Sequence, residues 1–156
     1  MGDDPKRTYL VVIDDSDEAR VALRFAARRA AKTGGRIEVL GIVEAQDFVQ
    51  FGGVQAAIEE EQRLRIEGIV SSAVGEILDE SGVEANIVVQ QGEPVKAVRD
   101  YVAGRDEVAA LVLGAAESGH PGPLVANFTG SDAGKMHCPV MIIPGSLSDE
   151  RLEQLS

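Results

Sequence analysis

Five short apolar segments, separated by segments with helical periodicity, constrain the fold of this chain more than any other feature. They cover residues 9–14, 36–43, 86–89, 109–113 and 140–143. Most are apolar nearly throughout rather than alternating, which is typical of strands buried on both faces of a parallel sheet. Strands that alternate with helices form doubly wound α/β folds. Because the chain has 156 residues, we predict a single domain with one five-stranded parallel sheet and helices on both faces.

The connecting segments carry helix start and stop signals. Ser16 is a predicted N-cap for a helix that runs to about Thr33, and Gly34 and Gly35 then end it. Three arginines at four-residue spacing form one stripe of this helix, and we predict that the stripe faces solvent. The later helices are predicted over residues 55–80, 94–103 and 123–133. From about residue 145 we predict a short, polar C-terminal tail with leucines at positions 147, 152 and 155.

Charge and cysteine content exclude several classes of protein. The chain carries 26 acidic and 15 basic residues, for a net charge of −11, so it should repel the phosphate backbone of nucleic acids. No apolar run approaches the ~20 residues of a membrane-spanning helix. Cys138 is the only cysteine, which predicts a reducing, cytoplasmic location without a disulfide. Two histidines and one cysteine are too few for a standard structural zinc site, so we predict no metal.

Candidate ligand-binding residues lie where three strands end. In open α/β sheets, ligands bind beyond the carboxyl ends of the strands, where the strand order reverses. Asp14 and Asp15 follow the first strand, Ile42 lies at the end of the second, and Gly114 follows the fourth. Asp14 has two open interpretations: it caps the next helix, or it binds a ligand. No side-chain set in the sequence indicates a catalytic residue.

The loop over residues 114–123 is rich in glycine and opens a helix. Gly119 and Gly122 would let the backbone approach a ligand closely, or they would only satisfy turns. The helix is predicted to begin near Pro123. We therefore expect the amides of Leu124 and Val125 to form the nearest anion site, because helix N-termini favour phosphate.

Four motifs in this order resemble the universal stress protein family over nearly the whole chain. They are Val12-Ile13-Asp14-Asp15-Ser16, Gln91-Gly92-Glu93-Pro94, Leu111-Val112-Leu113-Gly114 and Cys138-Pro139-Val140. The resemblance implies an adenine nucleotide alpha hydrolase-like fold with strand order 3-2-1-4-5. It also implies a homodimer formed through the last strand, here Val140–Ile143. The family has two branches, members that bind ATP and members that do not.

This sequence departs from the glycine motif of the ATP-binding branch. Members of that branch carry a motif similar to Gly-x-x-Gly, followed after nine residues by Gly-Ser or Gly-Thr. Gly114 matches the first glycine, but Glu117 and Asn127 occupy the positions of the second and third. Gly130 and Ser131 supply the final pair only with a three-residue insertion. The second Gly-x-x-Gly, at residues 119–122, is consistent with a rebuilt loop, so ATP or another adenine nucleotide as ligand stays open.

Three functions are therefore compatible with the sequence. The first is a homodimeric stress-response protein that senses a small ligand or a nucleotide such as ATP or ADP, without efficient catalysis. The second is a ligand-free dimeric interaction module with a vestigial nucleotide pocket. The third is a slow nucleotide hydrolase. Residues 114–134 contain no lysine or arginine, which disfavours phosphoryl transfer by this loop.

Overall fold

The sheet is five-stranded and entirely parallel, with strand order β3-β2-β1-β4-β5. The structure is a computed structural model that describes residues 7–44 and 53–156. The strands are β1 (Thr8–Ile13), β2 (Arg36–Val43), β3 (Ala85–Gln91), β4 (Val108–Ala115) and β5 (Val140–Pro144). The helices are α1 (Asp17–Thr33), α2 (Gly53–Ser81), α3 (Pro94–Ala103), α4 (Pro123–Phe128) and α5 (Asp149–Leu155). The predicted fold class and strand order are confirmed.

Apolar side chains cover both faces of the sheet. One face of the core joins Val11 and Val39 of the sheet to α1, α2 and α5. The other joins Leu10, Leu40 and Leu111 to α3 and α4. Since alternate residues of a strand point to opposite faces, a strand inside two helical layers is apolar at most positions. This explains the continuous apolar runs in the sequence.

The ends of α1 and α3 are fixed by the residues that the sequence supplies there. Ser16 is the N-cap of α1, and its hydroxyl accepts a hydrogen bond from the amide of Ala19 at 3.3 Å. Gly34 ends α1 in the left-handed conformation, with φ 71°, which glycine adopts without steric cost. Glu93 caps α3, accepting bonds from the amides of Val95 and Lys96. Both predicted helices therefore begin where expected.

The first turn of α1 rests directly on the backbone of β4. Gly114 is the seventh residue of β4, and a β-carbon added to it would overlap the main-chain carbonyl of Glu18. Gly145 lies on the same turn, because its β-carbon would come within 2.8 Å of the Glu18 side chain. Glycine at these two positions lets α1 approach the sheet closely. The Gly114 prediction thus has a packing explanation that needs no ligand.

The C-terminal segment, predicted only as a polar tail, contains a docked helix. Ser148 caps α5 by accepting a hydrogen bond from the amide of Arg151 at 3.2 Å. Leu152 is fully buried against the α1 face of the core, whereas Leu155 on the same helix is 44% exposed. The helix has only seven residues. One buried leucine gives too little periodicity for a sequence-based prediction.

The basic stripe of α1 lies on a partly exposed surface, and its arginines also contact residues of α2 and α5. Arg20 forms an ion pair with Glu76 of α2 at 3.5 Å. Arg24 lies 3.5 Å from the carboxylate of Asp149, and Arg28 donates to the main-chain oxygen of that residue at 2.8 Å. The stripe therefore links α1 to both α2 and α5 across a partly exposed surface.

The fourth helix is shorter than predicted. It ends at Phe128, and a 3₁₀ turn over Ala133–Lys135 follows in place of the expected continuation to residue 133. The Thr129 hydroxyl bonds back to the carbonyl of Val125 at 2.7 Å, and residues 129–132 are Thr, Gly, Ser and Asp, which favour turns over helix interior. The glycine-rich connection before α2 falls largely on residues 45–52 and lies outside the described residues.

Within residues 7–44 and 53–156, no helix combines the length and the hydrophobicity that crossing a bilayer requires.

Replacing Leu152 by alanine should lower the free energy of unfolding by about 2–4 kcal/mol, because the substitution leaves a cavity in the fully buried contact between α5 and α1. Urea unfolding followed by circular dichroism measures this loss. Leu155→Ala is the matched control on the same helix and should change stability by less than about 0.5 kcal/mol. Equal effects of the two substitutions would contradict the docking of α5.

Replacing Gly114 by alanine should lower the free energy of unfolding by about 1–3 kcal/mol, because the new β-carbon forces α1 away from β4. Gly75→Ala in α2 is the control, since open space surrounds that glycine and alanine favours a helix interior by about 1 kcal/mol. The two Gly→Ala changes should therefore shift the urea midpoint in opposite directions. A stabilising Gly114→Ala would be inconsistent with the close approach of α1.

Candidate functional site

A crevice opens at the carboxyl ends of the central strands, where β1 lies between β2 and β4. Its volume is about 160 Å³. Six of the predicted site residues line it, namely Asp14, Ile42, Gly114, Gly122, Leu124 and Val125. They come from the ends of three strands and the start of α4, although they are far apart in sequence. The crevice occupies the position at which parallel sheets bind ligands.

Asp14 lies at the mouth of the crevice just beyond β1. One of its carboxylate oxygens, Oδ1, accepts a hydrogen bond from the Ser16 amide at 2.9 Å and another from the Ser16 hydroxyl. The side chain is exposed, and within the described part of the chain its second oxygen accepts no hydrogen bond. Asp14 therefore organises the start of α1, and its role in binding a ligand stays a prediction.

Asp15 does not line this crevice. Its carboxylate forms an ion pair with Arg65 of α2 at 2.7 Å, and both side chains are about two-thirds exposed. The pair borders an adjoining depression of about 320 Å³ that shares Ile42 and Glu44 with the crevice. Asp15 thus links the β1–α1 turn to α2.

The glycines of the 114–123 loop are required by the backbone. Gly119 has φ 77° and Gly122 has φ 112°, conformations that residues with a β-carbon rarely adopt. The Gly122 amide donates to Nδ1 of His120 at 3.0 Å, so this amide is already used within the loop. Gly119 and Glu117 are both exposed, and neither lines the crevice. The carboxylate of Glu117 therefore faces solvent.

Asn127, Gly130 and Ser131 are not brought to the crevice. Asn127 instead donates to the carboxylate of Asp132 at 2.7 Å, and Arg99 of α3 contacts the same carboxylate at 3.2 Å. The hydrogen bond from Asn127, with the nearby charge of Arg99, holds the pKa of Asp132 below its ordinary value. These residues form a surface network that joins α4 to α3.

Sequence reasoning missed two acidic residues that line the crevice. Glu18 lies in the first turn of α1, and Glu44 directly follows β2. Three prolines, at positions 94, 121 and 123, complete the rim. The signal for Glu18 was its spacing from Asp14, because a first-turn residue of α1 must lie above the same strand ends. Glu44 occupies the position after β2 that Asp14 occupies after β1.

The described residues contain no cluster of three or more histidine, cysteine, aspartate or glutamate side chains that could hold a metal ion. Cys138 packs among apolar residues beside β5. Burial raises the pKa of its thiol, which keeps it protonated and unreactive.

Solved structures similar to this chain share its fold. The universal stress protein UspA from Lactobacillus plantarum aligns with a TM-score of 0.74 at 18% identity, covering 90% of this chain and 99% of that one. The universal stress protein from Archaeoglobus fulgidus in complex with dAMP gives 0.58 at 21%, covering 88% and 97%. A universal stress protein in complex with cAMP gives 0.61 at 17%, covering 92% and 100%.

No curated protein matches the chain in sequence. The family model described as "Universal stress protein family", however, matches residues 6–144. That span includes all five strands and the whole crevice. The chain belongs to the universal stress protein family.

Proposed function

We propose that this protein is a stress-response protein that senses an adenine nucleotide bound in the crevice and does not turn it over efficiently. The observation that carries the proposal is the convergence of six sequence-predicted residues on one cavity at the reversal point of the sheet. Two structural neighbours support the ligand class, since one is a complex with cAMP and the other with dAMP. The output of such a sensor is a changed surface rather than a product.

Each wall of the crevice suits one part of an adenine nucleotide. Ile42, Leu113 and Leu124 offer apolar surface for a flat base. The second carboxylate oxygen of Asp14 is an acceptor for a ribose hydroxyl or an exocyclic amino group. Any phosphate would lie toward the amides of Leu124 and Val125, at the start of α4. In this arrangement the base and the ribose make most of the contacts with the protein, and the phosphate makes few.

Removing apolar surface from the base-binding wall should weaken nucleotide binding. Ile42→Ala should raise the Kd for AMP about five- to tenfold, because part of the apolar contact between this half-buried side chain and the base is lost. Isothermal titration calorimetry measures the change. Ile87→Ala is the matched control, since this isoleucine lies on β3 and is 38% exposed; its Kd should equal that of the unchanged protein.

A ligand-free interaction module is the second candidate. The observation that favours it is the size of the crevice, because about 160 Å³ is below the roughly 300–1,000 Å³ of most small-molecule sites. Mass spectrometry of the denatured, freshly purified protein separates the two candidates. A copurified adenine nucleotide supports the sensor. No copurified nucleotide, together with no calorimetric binding of AMP or ATP, would establish the ligand-free module instead.

We also propose that the protein forms a homodimer through β5 and resides in the cytoplasm. β5 is an edge strand of the sheet, and its residues Val140, Met141 and Ile142 are each only partly buried. An apolar edge strand is a template for pairing with another chain. The cytoplasmic location is supported by the single cysteine, which fits a reducing compartment.

A charge on this edge should separate the dimer. Ile142→Lys is expected to convert the protein to a monomer at micromolar concentration, because a buried lysine would lose its hydration in the interface. Multi-angle light scattering gives the mass, and circular dichroism verifies that the variant is folded. Ile87→Lys on the opposite edge strand, β3, is the control and should stay dimeric. A folded Ile142→Lys variant that remains a dimer would rule out assembly through β5.

A further inference from the structure

We infer that the crevice selects against phosphate groups, so that adenosine and its monophosphate bind more tightly than ADP or ATP. This inference rests on the proposed function and specifies the ligand class of the same site. It is carried by the charges that line the cavity, their fixed positions and the chemistry of the remaining wall.

Three carboxylates from three different elements line the crevice. Asp14 follows β1, Glu18 belongs to the first turn of α1, and Glu44 follows β2. No lysine or arginine is among the described residues that line the cavity with them. A ligand in the crevice therefore meets negative charge from several directions.

The position of Glu18 is set by the main chain. Its carbonyl packs on Gly114, and its β-carbon packs on Gly145, both at distances that exclude any larger residue without a shift. Moving Glu18 out of the crevice would require α1 to give up this close packing on the sheet. With that packing intact, only rotation of its side chain changes the distance between its carboxylate and a ligand.

The cation beside the crevice is already neutralised. Arg65 borders the adjoining depression, and its guanidinium is 2.7 Å from the carboxylate of Asp15. A phosphate would have to share this guanidinium with the carboxylate of Asp15, which already offsets its charge. Arg65 thus gives a polyphosphate little net attraction.

The same groups suit a nucleoside. Carboxylates accept hydrogen bonds from hydroxyl and amino groups, which the sugar and the base of adenosine provide. Ile42, Leu113 and Leu124 supply the apolar surface that a base requires. The small cavity, about 160 Å³, also accommodates only part of a nucleotide. Each phosphate beyond the first extends out of this small cavity and adds repulsion from its carboxylates.

Calorimetric titration of the full chain with adenosine, AMP, ADP and ATP tests this selectivity. EDTA is present throughout, because a divalent cation would neutralise the phosphates. Affinity is expected to fall roughly three- to tenfold with each phosphate beyond the first, the size of a charge repulsion over several ångströms in a largely aqueous site. Raising the salt concentration should narrow the difference between AMP and ATP by screening.

Neutralising the carboxylates should reduce the differences in affinity among adenosine, AMP, ADP and ATP. In Glu18→Gln and Glu44→Gln variants, the ratio of ATP affinity to adenosine affinity should rise about three- to tenfold, and more in the double variant. Glu150→Gln is the control, because it makes the same change in net charge on α5, outside the crevice lining. Its affinity ratio should match that of the unchanged protein.

The results separate this inference from the proposed function. The inference and the proposed function are both supported if adenosine or AMP binds most tightly. The ratio of ATP affinity to adenosine affinity should then change in the Glu18→Gln and Glu44→Gln variants but not in Glu150→Gln. Affinity that rises with phosphate number in EDTA, or a ratio unaffected by the double variant, overturns the inference and leaves the sensor intact. Failure of all four compounds to bind overturns the proposed function and, with it, the inference.

Discussion

The close approach of α1 to β4 is the contact on which the rest of the structure depends. Gly114 and Gly145 leave no room for side chains where the first turn of α1 crosses the ends of β4 and β5. That contact holds the β1–α1 turn above the sheet and so creates one wall of the crevice. It also fixes Glu18 in that wall. The packing of α1 on the sheet thus sets the position of a crevice residue mainly through backbone contacts.

The sheet was predictable because its signals are local and repeated. Each buried strand is visible in the sequence as an apolar run. Ser16 and Glu93 cap the starts of helices with their side chains, and Gly34 ends α1 in the left-handed conformation. The strand order came from resemblance to a family and not from the apolar pattern. By contrast, α5 depends on Leu152 meeting α1 across more than a hundred residues. No local pattern in seven residues encodes that contact.

The site was only partly predictable, because proximity to a strand end does not fix what a side chain contacts. Asp14 and Asp15 are neighbours in sequence, yet one borders the crevice and the other pairs with α2. Asn127 donates a hydrogen bond to Asp132 and does not line the crevice. Glu38 is a similar case within the fold: it is buried in the apolar strand β2, and its carboxylate accepts a hydrogen bond from the Tyr101 hydroxyl. Burial and this bond raise the pKa of Tyr101. Each partner is distant in sequence, so pattern alone cannot identify it.

Two basic residues of α1, Arg28 of the stripe and Lys32 one turn further along, bind the C-terminal segment through its main-chain oxygens. Arg28 donates to the main-chain oxygen of Asp149, and Lys32 donates to those of Glu153 and Ser156 at 3.1 Å each. Every amino acid carries such an oxygen, whatever its side chain. The outward-facing positions of α5 can therefore change identity while the helix keeps its anchoring bonds and its one buried leucine. This face can acquire new surface chemistry without disturbing the sheet beneath it.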